Sequence, residues 1–105
     1  MSEQGYNGWS NYETWAVKLW IDNDQGSAMY ARNLVEDARV EASGGHHVWT
    51  VEQHARFTLA DSVRDWVCVE MRPEADASMF EDLLSAALDR VDWQEIADNL
   101  LSEID

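Results

Sequence analysis

At 105 residues, with 21 Asp and Glu against 7 Lys and Arg, the chain is one domain's worth of sequence with a formal net charge of −14, a surface that repels phosphate and anionic lipid. Its 46% apolar content and six tryptophans exclude a disordered chain. The single cysteine, Cys68, excludes an intramolecular disulfide and a thiolate-built zinc site, and no apolar run approaches the ~18–20 residues of a membrane span.

The opening MSEQGYNGWS has no basic n-region and no apolar core, so the cytoplasm is the expected compartment. Residues 1–9 hold two glycines and no hydrophobic period and read as an irregular arm. Ser10-Asn-Tyr-Glu13 has the pattern of a capping box and predicts a helix to about Asp22. Tyr12, Trp15, Ala16, Leu19 and Trp20 fall at helical spacing and are expected to face the core. Trp15 and Trp20 lie about 140° apart around such a helix, so only one of them reaches the middle of the stripe. Trp9, outside the helix, is the candidate for an exposed contact residue. The same aromatics could instead form a base-stacking platform. That use needs a positive groove, and Lys18 stands alone here against Glu13, Asp22 and Asp24.

Ser27 is the expected cap of a second helix to about Ala42, with Tyr30, Ala31, Leu34, Val35, Ala38 and Ala42 inward and Gly44-Gly45 at its end. Thr50-Val-Glu-Gln53 is another capping box, opening a helix to about Val69 with Val51, Ala55, Leu59, Val63, Trp66 and Val67 inward. Within residues 63–71, alternation of Val67 and Val69 with Cys68 and Glu70 also fits a short strand; length favours helix. Pro73 punctuates a connection over 70–77. Ser78-Met-Phe-Glu81 predicts a helix to about Arg90 that buries Phe80, Leu83, Leu84, Ala87 and Leu88. Asp92 caps the last helix, with Val91 and Ile96 placed as a hydrophobic staple and Trp93, Ile96, Ala97, Leu100, Leu101 and Ile104 as its stripe. The expected fold is all-α: one bundle of about five helices over residues 10–105 with short connections.

Catalytic and metal signatures are weak. His46, His47 and His54 match no zinc spacing, and a loop histidine pair is the commoner explanation. Cys68 lies between two valines, without the cationic neighbour that a nucleophilic thiolate wants. No nucleophile elbow or phosphate loop occurs, so the expectation is a non-enzyme with no cofactor and no metal.

The acidic surface is what remains to be explained. From Glu70 onward eleven acids face two arginines, whereas residues 1–69 hold ten acids and five bases. Glu81, Asp82, Asp89, Glu95, Asp98 and Glu103 take outer positions on the last two predicted helices. Helix-surface neighbours lie ~5–6 Å apart at the backbone, within an order of magnitude of the charge spacing of a nucleic-acid backbone. Three uses compete: a solvated face, salt adaptation, which the single lysine favours, and a decoy for a basic nucleic-acid-binding channel.

The segment YNGWSNYETWAVKLWIDND carries the pattern N-x-x-T-W-x-x-x-L-W-x-x-N-D in Asn11, Thr14, Trp15, Leu19, Trp20, Asn23 and Asp24. It resembles a family of small proteins of phages, plasmids and prokaryotic genomes, and Val91–Leu101 looks like that family's closing helix. The resemblance transfers no activity and no catalytic residue. Its mobile-element association implies an accessory role against host defence. The expectation is therefore a DNA mimic of anti-CRISPR or antirestriction type. It would present Glu81, Asp82, Asp89, Glu95, Asp98, Glu103 and Trp9 to a basic protein surface, without binding nucleic acid or membrane itself. A salt-adapted interaction protein is the alternative, and a homodimer stays open.

Overall fold

In the computed structural model, which describes residues 6–44, 50–71 and 79–104, five α-helices follow one another: α1 (Tyr12–Asn23), α2 (Gln25–Ser43), α3 (Val51–Asp65), α4 (Met79–Asp89) and α5 (Trp93–Glu103). Among the described residues there is no strand, so the chain is an all-α bundle. Residues 63–70 are helical and Met71 caps them. α3 runs into a π-helical turn, Trp66–Glu70, closed by the Met71 amide donating to the Trp66 carbonyl at 2.8 Å. The predicted connection around Pro73, the Ser78 cap, Gly45 and the His46-His47 pair lie outside the described residues.

Helix starts follow side-chain chemistry. Thr50 and Gln53 form the expected reciprocal box: the Gln53 amide donates to Thr50 Oγ1, and the Thr50 amide to Gln53 Oε1, each at 3.1 Å. Asp92 caps α5 by accepting from the Glu95 amide, and Val91 and Ile96 are both buried, as a staple requires. Two starts differ from expectation. α1 is capped by Asn11, whose Oδ1 accepts from the Thr14 amide at 2.9 Å, so Ser10 lies outside the helix. α2 begins three residues before the expected stretch, because Asp24 Oδ2 accepts from the Ser27 amide at 2.8 Å. Asp24 thus ends α1 and starts α2, a junction of one residue.

The core is built by α2, α3 and α5. Ala31, Ala38 and Ala42 of α2 and Ala55 and Ala60 of α3 are buried, and small side chains let helix axes approach. Val35, Leu59, Val63, Trp66, Ile96, Leu100 and Ile104 fill the space between, at about 1.5–3 kcal/mol for each large side chain removed from water. Val51, expected inward, sits exposed in the first turn of α3.

Two predicted stripes are turned. On α1 the buried residues are Thr14, Lys18 and Ile21, whereas Tyr12, Leu19 and Trp20 are exposed. The opening aromatics are therefore not the core anchor that periodicity suggested. α4 has no buried residue: Leu84, Ala87 and Leu88 are half-buried, whereas Phe80 (73% exposed) and Leu83 point to solvent. Its apolar stripe lies across the protein surface instead of beneath it.

Candidate interaction surface

The inner face of α1 is held by polar groups. Thr14 is fully buried; its hydroxyl donates to Asn11 Oδ1 at 2.7 Å and accepts from the Asp92 amide at 2.9 Å. Asn11 Nδ2 donates to the Arg90 carbonyl at 2.7 Å, and the Ser10 amide to Glu95 Oε1 at 3.1 Å. One turn on, Lys18 is 3% exposed, and its ammonium reaches Asp22 at 2.7 Å and Glu103 at 3.1 Å. A lysine is rarely buried unless paired; here the ammonium is taken out of water between two carboxylates that remain half-exposed and keep part of their hydration. These bonds clamp α1 to both ends of α5 and leave its other side outward.

That outer side is aromatic and uncharged. Tyr12, Leu19 and Asn23 line its middle, Trp20 (72% exposed) one flank and half-buried Trp15 the other. Asn7-Gly8 forms a tight turn with positive φ at both residues, 45° and 89°, the geometry that favours Asn-Gly. The turn joins Tyr6 and Trp9 in an isolated bridge. It also folds Tyr6 onto the helix, where its ring lies 5.1 Å from Tyr12, edge-on, and 4.8 Å from Trp15. Tyr12 and Trp15 are 5.6 Å apart, so the three rings form one cluster. Charges occur only at the edges, where Glu13 pairs with Arg90 at 3.3 Å and Asp22 with Lys18. The Glu13 carboxyl is held below its ordinary value, chiefly by a backbone hydrogen bond and further by the Arg90 guanidinium.

The sequence-predicted contact residues divide into groups. Asp82 and Asp89 are exposed on α4, and Glu81 is half-buried beside them. On α5 each acid has an internal partner: Glu95 the N-terminal turn, Asp98 the Arg56 guanidinium of α3 at 3.5 Å, Glu103 the ammonium of α1. Asp98 and Glu103 lie about 140° apart around the helix, so the structure spreads them to opposite flanks instead of gathering them into one array. Trp9 is half-buried and packs against the core, not outward. Sequence reasoning missed the outer face of α1 as a surface, although it singled out every aromatic that forms it except Tyr6.

Two concavities accompany these faces. A groove of about 840 Å³ between α2, α3 and α5 includes Arg39, Val40, Val51, Arg56, Asp98 and Leu101 in its walls. Its arginines already hold acceptors, Arg39 the Leu101 carbonyl at 2.8 Å and Arg56 the Asp98 carboxylate. A shallower cleft of about 570 Å³ brings Asp61, Asp89 and Asp92 beside Arg64 and Arg90, a mixed-charge lining. Cys68 is half-buried on the π-helical turn, and His54 is half-buried on α3. No helix of the described residues is long and apolar enough to cross a membrane.

Neither the search of curated proteins nor that of solved structures found a match. A family model does match, over residues 2–104, nearly the whole sequence. The chain belongs to the family of unknown function DUF7249.

Proposed function

We propose that the protein is a non-catalytic binding protein that occupies the basic surface of a nucleic-acid-binding partner. One observation carries this reading: acids outnumber bases threefold, and the only lysine is buried inside the bundle, so the surface is left with carboxylates and a few arginines. Such a field attracts cationic protein surfaces and repels nucleic acid itself. Of the carboxylates expected to meet a partner, Asp82 and Asp89 are exposed on α4. Those of α5 also bond within the fold. The resemblance to mobile-element proteins favours a CRISPR or restriction complex as the target, with the protein as a DNA mimic.

The test is competition. Purified CRISPR effectors and restriction enzymes of the natural host are assayed for DNA binding with the protein added. The expected result is displacement of DNA that weakens as salt rises, and that the Asp82→Asn, Asp89→Asn double variant reduces without loss of helicity. Displacement of no complex, or displacement unaltered by the double variant, overturns the reading.

A second reading, salt adaptation, is favoured by the scarcity of lysine. It predicts that the isolated protein unfolds when salt is withdrawn.

A further inference from the structure

We infer that the outer face of α1 is the anchor of the interface, and that it takes a protein surface presenting arginine side chains, whose guanidinium groups lie on the Trp20 and Tyr12 rings. This rests on the proposed function and names the chemistry of its partner.

The inner face of α1 is committed to α2 and α5 through buried Thr14, Lys18 and Ile21, so packing does not explain the rings on the other side. Trp20 and Tyr12 together leave on the order of 250 Å² of ring surface in water. With Tyr6 and Leu19 the exposed apolar surface comes to a few hundred Å², about the largest patch of a typical monomer, which is often functional. Its layout is that of an interface centre: aromatic groups in the middle, polar groups at the rim. The turn and the three-ring cluster hold Tyr6, Tyr12 and Trp15 against one another, so less side-chain freedom is lost on binding.

Charge selects the occupant. The rim holds three carboxylates, Glu13, Asp22 and Asp24, against Arg90 and the buried Lys18. The molecule behind it is strongly anionic. A second copy would bring the same negative field to the face. A base-stacking ligand would bring phosphates into it. A guanidinium satisfies both parts of the surface, stacking on the ring faces and pairing with the rim carboxylates.

The test uses decaarginine and decalysine peptides as probes of the full chain at low salt, followed by tryptophan fluorescence and calorimetry. Arginine pairs well with carboxylates anywhere, so the deciding comparison is between variants. Trp20→Ala with Tyr12→Ala removes exposed side chains and is expected to leave the circular dichroism unchanged. It should weaken decaarginine about five- to thirtyfold, from two contacts of roughly 0.5–1 kcal/mol each, and decalysine far less. An undiminished preference for arginine in that variant overturns the inference, as does failure of both peptides to bind. A dimer in sedimentation that Trp20→Ala dissociates also overturns it, because the face then belongs to a second copy. The Asp82→Asn, Asp89→Asn variant separates this inference from the reading beneath it. If that variant binds both peptides unchanged while the ring variant loses decaarginine, the α4 carboxylate reading fails and the α1 anchor stands. If only the carboxylate variant loses binding, the reverse holds.

Discussion

A Thr14→Val substitution keeps the shape of a fully buried side chain and deletes a hydroxyl that donates to Asn11 and accepts from the Asp92 amide. The Asp92 N–H then faces a methyl group in a partly buried site, so the expected loss is about 1–3 kcal/mol. A shift in the urea midpoint at unchanged slope measures it, and Thr14→Ser, which keeps the hydroxyl, should recover most of it. Asp24 gives a pH-dependent counterpart. Hydrogen bonds from Ser27, side chain and backbone, hold its carboxyl below the ordinary carboxylate value. A depressed carboxylate contributes its stability above its unfolded pKa and loses it as pH falls through the folded one. The melting temperature of the wild type should therefore exceed that of Asp24→Ala by a constant margin above pH 4. That margin should close as the pH is taken lower. A margin that instead widens in acid would show that the cap does not act through its charge.

At the scale of the helix, α4 differs from the rest. It buries no residue, whereas α3 and α5 bury Leu59, Val63, Ile96 and Leu100. Phe80→Ala should change stability by no more than about 0.5 kcal/mol, because an exposed ring leaves no cavity. Leu59→Ala should cost about 2–5 kcal/mol. Amide exchange should accordingly be fastest in α4 among the five helices. The helices with a regular inward stripe, α2, α3 and α5, were legible in the sequence, and so were the Thr50 and Asp92 caps, because those signals are local. α1 was not. Hydropathy places Thr14 and Lys18 outside and Trp20 inside; the structure reverses this because the polar groups find partners 78 and 85 positions away, which no local pattern encodes. The same distance hid the internal partners of Glu95 and Glu103. The candidate surface was therefore half visible: the acids and aromatics were singled out, but not which of them the fold would consume.

The whole molecule is a body of 44 × 36 × 29 Å carrying a net charge of −14. At 0.01 M salt the Debye length, about 30 Å, is close to the shortest dimension, so carboxylates repel one another across much of the molecule; at 0.15 M it is about 8 Å, and only near neighbours interact. Stability should rise between these limits as long-range repulsion is screened, partly offset by weakening of the exposed Arg56–Asp98 and Arg90–Glu13 pairs. What happens above 0.15 M separates the two explanations of the acidity. A decoy needs only a charged exterior, and its remaining repulsion is already local, so the thermal midpoint should level off. A salt-adapted protein should continue to gain well into the molar range. The thermal midpoint followed from 0.01 to 2 M potassium chloride gives the answer, with Asp82→Asn, Asp89→Asn as the internal control. Removing two exposed charges should raise the midpoint at 0.01 M and leave it unchanged at 0.15 M. A control that moves the midpoint equally at both salts would mean these carboxylates act through local contacts, and the long-range field would then not be what the α4 surface offers a partner.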